Sequence, residues 1–205
     1  MSETSETEGS PVSPRDRLLD AAIEIAGRDG LEAVSYRSVA TRAGMAHGMV
    51  RHYFGSREGL LNEAFRRAAQ QDASSAMLRA DTVESFAESL VSSLNQSWER
   101  PVMQFDELVQ AIRGVLPMDN VVRQYDDYLG AIGGTLRALS ISDPDGDASA
   151  LLMATLDGIV LQHFIYGSDA RTERILALLR QQLRERSGRD EASGRSMPLR
   201  SESSD

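Results

Sequence analysis

SYRSVATRAGMAHGMVRHYFGSRE, residues 35–58, carries four arginines, two histidines and a single acid, Glu58. The chain around it is acidic, with 31 Asp and Glu against 22 basic residues, every one of them Arg. Between residues 33 and 57 stand Arg37, Arg42, Arg51 and Arg57 and no acid at all. Such asymmetry puts any anionic partner at this part of the chain. The local pattern is two short helices. Ser35 can cap one over Tyr36–Ala43, Gly44 breaks it, and a second spans about His47–Tyr53. Ser56 then caps a longer helix from Arg57 to about Arg79. Two short helices joined at a glycine and followed by a long one give a helix-turn-helix layout, with Val39, Ala40 and Ala43 facing Val50 and Phe54. The second short helix is intrinsically weak: Ala46 supplies no cap, at a cost of about 1 kcal/mol, and Gly48 adds roughly another 1 kcal/mol. It must persist by packing, which leaves its outward face free for contacts. Arg37 and Arg57 each lie at a helix N-terminus, where a cation is mildly unfavourable for folding. An anion bound there reverses the sign, and DNA phosphates supply one at regular spacing.

Working outward, helical periodicity continues in both directions, with no convincing period-2 alternation. Ser13, Pro14 and Asp16 open a first helix whose buried stripe is Leu18, Ala22, Ile25 and Ala26, and Gly30 ends it. Downstream, 81–99 reads as a helix capped by Asp81, and Pro101 opens another to about Val115. Residues 120–139 place Val122, Tyr125, Leu129, Ile132, Leu136 and Leu139 on one stripe. A loop at 142–147 precedes two last helices, about 147–167 and 170–186. The fold class is all-α with about nine helices: an N-terminal three-helix helix-turn-helix domain, then a larger helical bundle. The expected boundaries are a disordered tail over 1–13, the DNA-binding domain over 14–56, the bundle over 57–187 and a disordered tail over 188–205.

The composition narrows the function classes. There is no cysteine, hence no disulfide, thiolate metal site or Cys nucleophile. The N-terminal segment holds three Glu and no apolar run, unlike a signal peptide. No stretch approaches about 18 uninterrupted apolar residues, so no membrane association is expected and the chain reads as cytoplasmic. His47 and His52 are five apart and do not share a helix face. No Gly-rich phosphate loop, nucleophile elbow or metal-ligand spacing occurs, and the DPDGD turn lacks the later Glu of a calcium loop. We expect no enzyme, no cofactor and no metal.

The run from Leu18 to Leu61 resembles the DNA-binding domain of TetR-family transcriptional regulators. The shared landmarks are the Ala21–Ala22 pair, Gly30, Ser35, Ala43–Gly44, Gly48, Phe54 and Ser56–Arg57–Glu58. By position, the resemblance implies DNA contacts from Ser35, Arg37, His47, Arg51, His52, Tyr53 and Arg57, with Arg57 on a phosphate. Ala46 and Met49, where the family usually has Ser or Thr at the latter, can offer apolar contact, for instance to thymine methyls. Arg51 stands where the family usually has Tyr, and can either read a guanine or hold a phosphate.

The resemblance also implies that the larger helical bundle is a ligand-binding and dimerisation domain. It implies a homodimer on an inverted-repeat operator in double-stranded DNA, with recognition helices about 34–36 Å apart. Leu152, Leu156 and Ile159 on one helix and Leu176, Leu179 and Leu183 on the next can form a four-helix interface, or can complete the subunit's own core. A small apolar or amphipathic effector is expected among Trp98, Met103, Phe105, Tyr125, Tyr128, Gln162, His163 and Tyr166. His163 can equally be a hydrogen-bonded interior histidine. The resulting expectation is a repressor released by its effector. The alternatives are a co-repressor-dependent regulator or activator, and a regulator controlled by a protein partner.

Overall fold

The computed structural model describes residues 12–74 and 78–195. Among them are nine α-helices and one 3-10 turn, and no strand: α1 (Pro14–Asp29), the turn Leu31–Ala33, α2 (Tyr36–Ala43), α3 (His47–Phe54), α4 (Arg57–Ser74), α5 (Leu90–Gln96), α6 (Glu99–Ile112), α7 (Met118–Ala138), α8 (Asp147–Tyr166) and α9 (Asp169–Arg195).

The N-terminal helices begin and end where their local chemistry dictates. The Ser13 hydroxyl accepts from the Asp16 amide at 3.0 Å, with Pro14 at the first helical position, and Gly30 ends α1 at φ 84°. Ser35 and Ser38 form a reciprocal capping box on α2, and Gly44 closes it in the left-handed region at φ 64°. That conformation costs a glycine little and any β-carbon more. Ala46 gives α3 no side-chain cap, and the Ser56 hydroxyl accepts from the Gly59 amide at the start of α4. One core gathers α1, α2, α3 and the first part of α4: Leu18, Ala22, Val39, Val50, Leu60 and Ala64 are fully buried in it or nearly so. Polar links fix the arrangement. Arg17 donates to the Ala43 carbonyl at the end of α2, and Arg67 on α4 bridges Asp16 and Asp20 on α1.

A second core fills the bundle of α5, α7, α8 and α9 around Phe86, Leu90, Ile132, Leu136 and Leu176. The hydroxyl of Thr135 accepts from the Ala80 amide and donates to the Leu78 carbonyl, tying the 78–80 segment to α7. Asp143 accepts from the amides of Ala148 and Ser149 and from the Ser149 hydroxyl. It thereby caps α8, whose own N-cap residue, Gly146, has no side chain to do so.

Four boundaries differ from the sequence reading. α4 is described only to Ser74, and Leu78 and Arg79 lie beyond it in non-helical chain. The expected helix over 81–99 begins only at Leu90. Before it the chain turns repeatedly, Ala87 takes φ 54°, and the Phe86 carbonyl accepts from Arg180 instead of a helical amide. α6 starts at Glu99, two residues before Pro101, which a first helical turn tolerates because its amide has no intrahelical acceptor. On α7 the buried face carries Val121, Gln124, Tyr128, Ala131 and Thr135, while Val122 is half exposed. α9 continues through residues 188–195 of the expected disordered tail, GRDEASGR, a Pro-free run despite its two glycines. The remainder of both expected tails lies outside the described residues.

Candidate nucleic-acid interface and ligand pocket

Packing of α2 against α3 buries Val39, Ala43, Val50 and Phe54 and turns the polar residues outward. Ser35, Arg37, Ala46, His47, Arg51, His52 and Tyr53 are all exposed, on one acid-free side formed by the start of α2 and the outer face of α3. Met49 is half-buried and packs against the core, so less of it is available for contact. The Tyr36 hydroxyl donates to the Gly55 carbonyl at 2.8 Å, and its ring meets His47 edge-on, fixing the entry of α3 against α2. Arg42, which the charge pattern includes with the others, is turned to Glu24 on α1 at 2.6 Å.

Arg57 does more than the sequence reading assigned it. Its Nε donates to the Val34 carbonyl at 2.7 Å and its Nη2 to the Leu31 carbonyl at 2.5 Å. The side chain is a latch between the start of α4 and the turn that precedes α2. The Leu31 carbonyl already accepts the Val34 amide at 3.2 Å within the 3-10 turn and takes Arg57 as a second donor, whereas the Val34 carbonyl follows the turn and takes Arg57 Nε, a demand invisible to helical periodicity.

The bundle forms a partly open cavity of about 90 Å³ between α4, α5, α6, α7 and α8. Phe105, Tyr125 and Tyr128, expected there, do line it, together with Pro101, Val121, Met153 and Val160. The rings of Tyr125 and Tyr128 lie 6.0 Å apart, tilted by 59°. Five other expected residues lie elsewhere. Met103 is fully buried in the first core, where α6 packs on α1 and α4. Trp98 is on the surface, with the Arg28 guanidinium over its ring. Gln162 accepts from Arg171, and Tyr166 is exposed beneath the same guanidinium. His163 is buried against the Thr172 hydroxyl at 3.0 Å, an interior histidine.

Polar residues of the cavity wall escaped the sequence reading, which searched for apolar lining. Asp72 on α4 accepts from Gln104 at 3.0 Å and from the Tyr128 hydroxyl at 3.3 Å. Arg100 Nε stands 3.0 Å from its other oxygen, an ion pair whose N–H is not aligned on the acceptor. Burial pushes the Asp72 carboxyl up, against the pull of Arg100 and of its hydrogen bonds. Asp157 on α8 accepts from the Tyr125 hydroxyl at 3.0 Å, and burial raises its carboxyl too. The signal was present: Asp157 is the lone acid in the run from Ala148 to Tyr166.

The dimer expectation also needs correcting. Leu152, Leu156, Ile159, Leu176, Leu179 and Leu183 are all buried inside the subunit, where α8 and α9 face each other and the rest of the bundle. The same helices expose a different apolar set. Leu151, Leu161 and Ile165 on α8 are 65%, 45% and 72% exposed, and Leu178 on α9 is 61% exposed. Helix α8 is the one described helix long and apolar enough to cross a membrane by length and composition. Its buried half belongs to the bundle core, and Asp157 interrupts it.

The family model described as "Bacterial regulatory proteins, tetR family" matches residues 18–64, the segment that builds α1 through the first part of α4. The HTH-type transcriptional regulator BetI of Burkholderia mallei (strain NCTC 10229) is 27% identical over 186 residues, covering 80% of this chain and 88% of that protein. Among solved structures, a TetR-family transcriptional regulator from Rhodococcus sp. superposes with a TM-score of 0.64 at 18% identity, covering 85% of this chain and 98% of the other. A transcriptional regulator from Saccharomonospora viridis in complex with choline gives a TM-score of 0.57 at 20% identity, over 83% and 93% of the two chains. Residues 18–64 thus match the tetR-family helix-turn-helix model, and over most of its length the chain is similar in sequence to a transcriptional regulator and in fold to TetR-family regulators.

Proposed function

We propose that the chain is a cytoplasmic homodimeric repressor that holds an inverted-repeat operator and lets it go when a small molecule enters the bundle cavity. The observation that carries this reading is the acid-free face of α2 and α3, where Arg37, His47, Arg51, His52 and Tyr53 stand exposed together. Arg51 and His47 point from the helix that the layout puts in the major groove, and Ser35 and Arg37 flank the phosphate backbone. Ala46 and the exposed edge of Met49 offer apolar contact between them. Arg57, latched to two carbonyls and 3.5 Å from the exposed Glu32 carboxylate, lies beside the same phosphates. The DNA-binding unit spans 14–56 with the first turns of α4 as its floor, and the bundle from 57 onward carries the pocket and the interface.

The dimer is supported by α8. Apolar residues ring that helix on all sides, which is the pattern of a helix covered all round, yet Leu151, Leu161 and Ile165 are open to solvent in the single subunit. Ala154 and Gly158 lie between them on the same face, small enough for close approach of a second helix. Release by a ligand is supported by the cavity within the bundle and by the choline complex of the Saccharomonospora viridis regulator, which shares this fold.

The test is selection of bound fragments from a random DNA pool by the purified, ligand-free protein, followed by anisotropy of the enriched sequence across salt. The expected outcome is an inverted repeat bound with a steep salt slope. No enrichment would reject the ligand-free repressor in favour of a co-repressor-dependent regulator or one controlled by a protein partner.

A further inference from the structure

The charges in the cavity wall do not cancel. Asp72 and Asp157 contribute two carboxylates, and Arg100 one guanidinium. Arg100 is already set against Asp72, which also takes donors from Gln104 and Tyr128. Asp157 has the Tyr125 hydroxyl and, among the described residues, no cation within ion-pair distance. Accepting one phenol hydrogen does not require a charge; an amide oxygen would serve. A carboxylate held in a largely apolar wall is costly unless a cation reaches it.

We infer that the effector is a small organic monocation, its charge set against Asp157 and its alkyl surface packed against Tyr125, Tyr128 and Phe105. The inference rests on the ligand-responsive reading above and names its ligand class. Aromatic faces attract cations, most strongly where water is excluded, and quaternary ammonium groups are recognised by such ring clusters. The cavity of about 90 Å³ is smaller than the roughly 150 Å³ that accommodates benzene, so the ligand must be compact and its entry must widen the wall. An anionic ligand would meet both carboxylates with the one cation already engaged. A neutral ligand would leave Asp157 as it is.

The test compares choline with 3,3-dimethylbutan-1-ol, which has carbon in place of the charged nitrogen, by calorimetry and thermal shift on the full chain. Tetraethylammonium is added as a larger cation and 3,3-dimethylbutanoate as the anion. At least one cation should bind, and choline should bind at least tenfold tighter than its neutral isostere. Asp157→Asn should abolish that preference, and Asp157→Glu should keep part of it. Circular dichroism and DNA binding check that each variant is folded; should Asp157→Asn fail to fold, the comparison on the unaltered protein still decides. Equal affinity for choline and its isostere overturns the inference, as does a preference that survives Asp157→Asn or a failure of both cations to bind. Binding of only the alcohol or the acid would leave a ligand-responsive protein of another class. Failure of the DNA selection would instead count against the repressor reading.

Discussion

Glu107 is the least comfortable residue in the molecule. It sits on α6 where that helix packs on α4 and α7, is 1% exposed, and its Oε2 has no hydrogen-bond partner. The two guanidiniums on the same wall are directed elsewhere, Arg66 to Glu63 and Arg123 to Asn120. The two acids there, Glu63 and Asp127, offer no compensation. Burial alone pushes the carboxyl from its ordinary 4.5 up to about 7. At 1.36 kcal/mol per tenfold change in proton affinity, ionised Glu107 costs the folded state about 3 kcal/mol. The direction follows from the raised value. The penalty is absent below pH 4.5, grows as the unfolded chain ionises and the folded chain does not, and is complete above about pH 7. Glu107→Gln keeps the shape and removes the charge. Urea unfolding at fixed protein concentration should show a gain of about 3 kcal/mol at pH 8, equivalent to roughly 6–12 °C in Tm for a chain of this size. At pH 5.5, still above the isoelectric point near 4.9, the gain should fall to less than half. A gain equal at both pH values, or none at pH 8, would refute desolvation as the cause.

Three further substitutions test other parts of the argument. Ile165→Glu should leave the subunit folded and yield a monomer by light scattering, whereas Leu156→Ala should instead destabilise the subunit by about 2–5 kcal/mol; a dimeric Ile165→Glu protein would reject the α8 interface. Gly27→Ala would place a β-carbon 2.1 Å from the Glu99 carbonyl oxygen, so it should cost about 1–3 kcal/mol by overpacking and change how strongly a ligand weakens DNA binding; wild-type stability by urea unfolding would show that α1 and α6 are not tightly apposed. Arg57→Ala should lower Tm as well as weaken binding to all DNA sequences equally. Arg57→Lys, which keeps the charge but not the fork that reaches both carbonyls, should lose stability and retain more of the DNA affinity; unchanged Tm in both variants would remove the latch.

The N-terminal half of this fold was legible because its signals are local. Ser13, Gly30, Ser35, Gly44 and Ser56 each specify a helix end through their own side chain or lack of one, and the structure uses all five as such. The acid-free run around α3 was equally legible, since exposure follows from the short apolar stripe that packs α3. What the sequence could not reveal is direction. α8 is apolar around its whole circumference, so its periodicity cannot tell the face that meets α9 from the face left open, and the five leucines and one isoleucine expected at an interface proved to be interior. The 81–89 segment kept helical spacing while folding as turns, because Phe86 and Ala87 are fully buried and the Phe86 carbonyl is taken by Arg180, a partner 94 residues away. Pocket residues were legible where they were aromatic and missed where they were charged. Met103 and Trp98 were drawn in by residue type, although α6 turns the first into the N-terminal core and places the second at the surface.

The first turn of α6 links these parts. Glu99 lies with its backbone on Gly27 and its carboxylate 2.5 Å from Arg28, so it grips α1 of the DNA-binding unit. Arg100, the next residue, pairs with Asp72 on α4 and reaches Gln71 beside it. Pro101, Gln104 and Phe105 then form wall of the cavity. One helical turn therefore contacts the ligand space, the helix that runs down to Arg57, and the helix whose Arg17 holds the end of α2. A ligand can change DNA affinity only through a difference in its affinity for two arrangements of the recognition helices. On the proposed reading, a cation set against Asp157 adds a positive charge to the wall that already holds Arg100, and any shift of Arg100 would move Glu99 with it. On the ligand-responsive reading proposed above, because α1 and α4 are held by adjacent residues of the same turn, a small displacement of that turn would move both helices of the N-terminal core together. Coupling of this kind is typically about 1–3 kcal/mol, which the Arg28–Glu99 pair and the tight Gly27 contact are placed to transmit.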